Sequence, residues 1–197
     1  MNEPMNATLA ATLWPSRAAP RFARAAMLAI GGTLVLAASA KAQVPFYPVP
    51  MTLQTLAVLV IGAAYGARLA AATLALYLAE GLLGLPVFAG ALAGPAYMAG
   101  PTAGYLGGFL VAAAAVGWLA ERGWDRDWPR LIGAMAIGHV VVFAFGFAWL
   151  ALALGAESAW AVGVAPFYAA TLVKTLLAAA LVGAAWRGLA RLRGSDA

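Results

Sequence analysis

Cysteine is absent from this 197-residue chain. That removes disulfides, thiolate metal sites and a cysteine nucleophile. Charge is scarce: 10% of the residues are Asp, Glu, Lys or Arg, against about 25% in an ordinary soluble domain. Histidine occurs once, as His139, with no second ligand at helical spacing, so a metal site is a poor reading and a hydrogen-bonded interior histidine the better one. No G-x-S-x-G, H-E-x-x-H or Walker A pattern is present. The nearest approach to a phosphate loop, GPTAG (100–104), lacks the Lys-Ser/Thr pair that would hold phosphate and magnesium. The chain therefore cannot itself drive transport by hydrolysing ATP.

What remains is apolar: 64% hydrophobic residues and a mean hydropathy of +0.88. No globular core of this size hides so much apolar surface, so the surrounding solvent is membrane lipid. The formal net charge is +5. Its basic residues sit at the ends of apolar runs rather than in a patch, which excludes nucleic acid as a partner.

Runs long enough to span a bilayer lie near 24–43, 104–121, 131–154 and 163–186. The stretch 53–88, broken at YGAR (65–68), is too long for one helix and slightly short for two. Arginine and lysine favour cytoplasmic flanks. If 53–88 is two short helices turning at Arg68, then Arg17, Arg21, Arg24, Arg68, Arg122, Arg126, Arg130, Arg187, Arg191 and Arg193 all fall on one side. The expectation is an all-α, polytopic membrane protein. It is a six-transmembrane-helix bundle with cytoplasmic N- and C-termini, and long outer loops cap a ligand pocket. The domain division is a tail 1–20, a transmembrane substrate-binding domain 21–190 and a tail 191–197. The basic start, the apolar run and Ala40-Lys41-Ala42 before Gln43 also fit a signal peptide with an A-x-A site. Either reading leaves Gln43 outside.

The expected outer connections, 44–55, 83–104 and 154–167, are rich in Gly, Pro and aromatics and nearly uncharged. Irregular backbone at membrane depth must be covered by protein or line a cavity. These loops are therefore read as lids with a dry underside, against the alternative of ordinary turns in the interface. Glu80 lies roughly 18 Å above the turn at Arg68 at helical rise, where it could pair with Lys41 or Lys174. Lys174 lies roughly 13 Å into the last helix, too deep for easy snorkelling. A buried ammonium needs an anion or carbonyls: Glu80, a ligand, or each in turn. Small-residue strips run along Ala25, Ala29, Thr33 and Ala37, along Ala71, Ala75 and Ala79, and along Gly104, Gly108 and Ala112. Such strips permit close helix packing, or, on the terminal helix, a partner protein.

YPVPMTLQT (47–55), AAATLALYLAEGLLGLPVFAG (70–90), GPTAGYLGGF (100–109) and the closing PF…LVKTLLAAAL (166–181) together resemble the BioY family of biotin transporters. That family supplies the substrate-binding, or S, component of energy-coupling-factor transporters. The resemblance covers roughly residues 25–185. It implies no cofactor, no catalytic activity, and biotin as ligand beneath the outer loops. It also implies a transmembrane coupling protein of the EcfT or BioN type and ABC ATPases of the BioM type as partners. An A-x-x-x-A motif that meets the coupling protein matches Ala25 and Ala29. The family's usual Asp, three residues before the lysine of the last helix, is here Thr171, and its Gly is Ala170. Glu80 could supply the missing carboxylate. The expected polar anchors are Gln54, Thr102, Thr171 and Lys174, and the expected walls Tyr47, Phe88, Tyr105 and Tyr168. A related vitamin-uptake subunit, and an intramembrane enzyme using Glu80, His139 and Lys174, are the alternatives.

Overall fold

Gly66, at φ 81°, divides the ambiguous 53–88 stretch. Before it runs α3 (Gln54–Tyr65) and after it α4 (Ala67–Leu82). Only a residue without Cβ takes this backbone conformation cheaply. The expected turn at Arg68 thus falls slightly earlier. At 1.5 Å per residue α3 is about 18 Å long and α4 about 24 Å, each short of a hydrocarbon core of about 30 Å.

The computed structural model describes residues 8–14 and 20–194, with side chains to 192. Around α3 and α4 stand α2 (Arg21–Lys41), α6 (Ala103–Ala120), α7 (Trp128–Leu154) and α9 (Tyr168–Gly194). Among the described residues, four helical stretches are long and apolar enough to cross a membrane: Arg21–Lys41, Ala103–Ala120, Trp128–Leu154 and Ala156–Leu192. The expected outer connections are less irregular than anticipated. They hold α5 (Pro95–Met98), α8 (Ala156–Gly163) and a hairpin of β1 (Gln43–Val44) and β2 (Met51–Thr52), paired antiparallel as Gln43 with Thr52 and Val44 with Met51. Among the described residues the hairpin is the only strand pairing, and the other regular elements are helical.

The tail expected over 1–20 contains α1 (Leu9–Leu13). Thr8 caps it by accepting from the Ala11 N–H at 3.3 Å. Leu9 and Ala10 are buried where α1 packs on α3 and α9. Arg17 lies outside the described residues, as do residues 195–197 of the expected tail 191–197, while α9 continues past residue 190 to Gly194.

α3 is the central element, packed against α2, α4, α6 and α9, with Val58, Leu59 and Ala63 fully buried. Close approach of α4 to α6 depends on Gly117. A Cβ there would lie 2.5 Å from the Ala67 nitrogen and 2.5 Å from the Gly66 carbonyl carbon. Glu121 then accepts the otherwise orphaned Ala67 N–H at 2.9 Å, capping α4. At the same end the Trp186 indole N–H donates to Asp125 Oδ2 at 2.7 Å, and the Arg126 guanidinium lies 3.4 Å over the Trp186 ring. Burial pushes the Asp125 carboxyl up from its ordinary pKa, against the opposing pull of Trp186 and Arg126. The described arginines therefore flank one end of the bundle, and the hairpin, α5 and α8 sit at the other.

The small-residue strips separate in the structure. Gly104 and Gly108 press against the α7 backbone at Phe145 and Val142, as close packing requires. On α4 the buried face is instead Ala70, Thr73, Leu74, Tyr77 and Gly81, and Ala75 and Ala79 are exposed. On α2, Ala29 and Thr33 are buried and Ala25 half-buried. Thr33, on the same strip as Ala25 and Ala29, donates to Glu80 of α4 at 3.1 Å. The face α2 leaves open carries Phe22, Ile30, Leu34 and Val35.

Candidate functional site

The proline-rich segment 44–55 folds over the end of α3. Pro45, Pro48 and Pro50 restrict its backbone and withhold three N–H donors, and the short β1–β2 ladder ties its ends together. Its two sides differ sharply: Tyr47 is 94% exposed, whereas Val49 is 5% exposed. The dry underside roofs a chamber of about 50 Å³. The walls are Tyr97, Tyr105, Phe109, Phe143 and Phe167, and the polar groups are Thr52, Gln54, Thr55, Thr102, Thr171 and Lys174. This is the composition of a small-molecule site, apolar with few converging polar anchors.

Lys174 reaches the chamber from α9. Its ammonium donates to the Thr52 carbonyl of the hairpin at 2.7 Å. Thr52 also accepts the Gln54 backbone N–H through its hydroxyl at 3.2 Å and donates to Gln54 Oε1 at 3.2 Å. Gln54 Nε2 donates to the Tyr77 hydroxyl at 2.8 Å, which donates onward to the Val87 carbonyl at 2.8 Å. Tyr105 gives its ring to the wall and its hydroxyl to the Gly163 carbonyl at 2.7 Å, holding the end of α8. An aromatic series closes the other side: Phe46 lies 6.3 Å from Phe167, and Phe167 lies 6.0 Å from Phe143.

Of the residues expected from sequence, the structure brings together Gln54, Thr102, Tyr105, Thr171 and Lys174. The others stand apart. Glu80 lies between α2 and α4, bonded to Thr33. It pairs with neither lysine, because Lys41 donates to the carbonyls of Phe88 at 2.8 Å and Gly90 at 2.7 Å. Phe88 is fully buried one layer back, stacked on Tyr97 at 4.9 Å and pressed against Gly81. Tyr47 lines a separate outer cleft with Pro48 and Trp149. Tyr168, about half exposed, lines a groove between α7 and α9.

His139 is buried, its Nδ1 3.2 Å from the Met135 carbonyl and 3.0 Å from Thr175 Oγ1. Both partners require that nitrogen to donate, since Met135 O only accepts and the Thr175 proton goes to the Thr171 carbonyl at 2.8 Å. Glu80, His139 and Lys174 each bond elsewhere, and no shared catalytic constellation forms among them.

Sequence reasoning missed Thr52, Thr55, Tyr77, Tyr97, Phe109, Phe143 and Phe167. The Thr55 hydroxyl is buried at the chamber without a partner among the described residues. Its place in the TLQT motif was the available signal; the aromatics differ from other helix aromatics only in which way they face.

The model of the BioY family matches residues 5–191. A probable biotin transporter BioY of Pyrococcus horikoshii is 36% identical over 139 residues, 71% of this chain and 82% of that protein. The biotin transporter BioY of Rhizobium etli is 37% identical, covering 69% of this chain and 77% of its own length. That of Thermotoga maritima is 33% identical, with 75% and 86% covered. A crystal structure of the S-component for biotin from an ECF-type ABC transporter superposes with a TM-score of 0.73 at 22% identity, covering 88% of this chain and 93% of that one. At that identity the likeness concerns the fold.

Proposed function

The chain belongs to the BioY family, and from that premise we propose that it is the biotin-binding S component of an energy-coupling-factor transporter. It is a carrier rather than an enzyme: its relatives are named as transporters. The observation that supports this reading best is the Lys174 ammonium on the wall of an aromatic chamber, held among the described residues by a lid carbonyl. Biotin combines a valerate carboxylate, an apolar thiophane ring and a polar ureido ring. The carboxylate suits Lys174. The ring system suits Tyr97, Tyr105, Phe109, Phe143 and Phe167. The ureido group suits the amide of Gln54 and the hydroxyls of Thr55, Thr102 and Thr171. With Thr171 in place of the family aspartate, the ureido N–H groups meet neutral acceptors, which bind about half as strongly as charged ones.

The chamber holds about 50 Å³, whereas drug-sized ligands occupy pockets of about 300–1,000 Å³. Admission therefore requires the 44–52 hairpin to lift, breaking the Lys174–Thr52 bond. The ligand's carboxylate then replaces the carbonyl as the ammonium's partner, so the buried charge is compensated in both states.

In the membrane the arginine-bearing end faces the cytoplasm, by the positive-inside rule. The hairpin end faces out, six helices cross, and the compartment is the cell inner membrane. Uptake uses a transmembrane coupling protein and ABC ATPases as partners. Replacement of Lys174 by Ala tests the site. Purified protein should bind radiolabelled biotin with nanomolar affinity, and Lys174→Ala should weaken it about tenfold or more, or about 1.4 kcal/mol. Unchanged affinity in the variant removes Lys174 from the site.

A further inference from the structure

Tyr77 is fully buried on α4 and does not line the chamber. We infer that it is nevertheless a positioning residue for ligand recognition: it fixes the orientation of the Gln54 amide and thereby decides which edge of a ligand that amide accepts. This rests on the biotin reading above and adds a residue outside the site, with a defined role.

Proton bookkeeping carries it. The Val87 carbonyl can only accept, and the Tyr77 hydroxyl sits 2.8 Å away, so the single hydroxyl proton is committed there. Toward Gln54 the Tyr77 oxygen then presents lone pairs alone. The amide group 2.8 Å from it must be the NH₂. Oε1 is consequently turned to Thr52, whose hydroxyl accepts from the Gln54 backbone N–H and gives its own proton to Oε1. A flipped amide would set a carbonyl against the Tyr77 lone pairs and lose that bond, whereas at the other end the N–H₂ could still donate to the Thr52 hydroxyl oxygen; it is the Tyr77 end that fixes the orientation.

One N–H and one oxygen lone pair of Gln54 remain without a partner among the described residues, on a side chain that lines the chamber. A donor and an acceptor side by side complement the N–H and C=O edge of a cyclic urea. A carboxylate, which only accepts, finds its partner at Lys174 instead. The two ends of the ligand are thus read by different groups, and Tyr77 acts on one of them. The same hydroxyl holds Val87, so a loosened outer connection and a freed amide accompany its loss.

The experiment compares the unsubstituted chain, Tyr77→Phe, Gln54→Leu and the double variant, all purified at full length. The ligands are biotin, 2-iminobiotin (ureido oxygen replaced by N–H) and biotinamide (carboxylate made neutral). Tyr77→Phe should weaken biotin about three- to tenfold, the scale of one or two neutral hydrogen bonds. It should shrink the preference for biotin over 2-iminobiotin and leave the preference over biotinamide unchanged. In the Gln54→Leu background it should no longer change the preference for biotin over 2-iminobiotin, leaving only the smaller, ligand-independent loss from the freed Val87 carbonyl. Equal losses for all three ligands, or the same loss with Leu at position 54, would overturn the inference, because Tyr77 would then act through packing alone. Should Tyr77→Phe not fold, Gln54→Glu serves: it places an acceptor against the Tyr77 lone pairs and should cost at least about tenfold in biotin affinity. Biotin affinity unchanged by Gln54→Glu would overturn the assigned amide orientation. A well-folded unsubstituted chain that binds no biotin is a distinct result, which overturns the functional reading first and this inference with it.

Discussion

The two lysines of the chain do the same job at different places. Lys174 holds the hairpin through the Thr52 carbonyl, and Lys41 holds the second outer connection through the carbonyls of Phe88 and Gly90. Sequence marked Lys174 as too deep to stand alone. It could not name the partners. Glu80 was the obvious anion, yet α4 turns it toward Thr33 on α2, and a backbone carbonyl leaves no trace in a residue pattern. The distinction has a consequence. Lys41→Met should free the segment around Phe88 and Gly90 while leaving the chamber walls in place. Chase experiments with bound radiolabelled biotin should show dissociation faster by about tenfold, the loss expected from hydrogen bonds to a charged donor, with association little altered. An unchanged dissociation rate would mean that this connection does not retain the ligand.

Helices were legible where hydropathy and length coincide. The runs near 24–43, 104–121 and 131–154 became α2, α6 and α7 within a few residues. The division of 53–88 was legible from charge, since two short helices alone put every arginine on one side. Small-residue strips were less informative, because a strip shows that close packing is possible and not which neighbour uses it. Gly104 and Gly108 meet α7, whereas Ala75 and Ala79 are exposed. The decisive glycine between α4 and α6 is Gly117, which belongs to none of the strips. Gly117→Val should drive side-chain atoms into the Gly66–Ala67 turn and destabilise the protein by about 1–3 kcal/mol. Gly107→Ala is the control, since a Cβ there would meet only Phe145 at 4.0 Å. Thermal unfolding in detergent reads both; a Gly117→Val protein as stable as the control would refute the close α4–α6 approach.

At the scale of the whole molecule, polarity is the organising feature. Arginines, Glu121 and Asp125 gather at one end, with α1 docked beside them. A hairpin, two short helices and an aromatic-walled chamber occupy the other. The asymmetry was readable from composition alone. The hairpin, α1 and α8 were not, because segments this short carry too few residues for a periodicity. Which aromatics face the chamber also had to come from the fold, since Tyr47 and Phe88 sit in the same motifs as residues that do line it. What the arrangement accomplishes depends on selectivity. Equilibrium binding of radiolabelled biotin to the purified chain, in competition with thiamin, riboflavin and pantothenate, tests it most directly. Saturable nanomolar binding of biotin, undisturbed by an excess of the other three vitamins, is the expected result. Displacement by any of them at comparable concentration, or no saturable biotin binding by a well-folded sample, would contradict it.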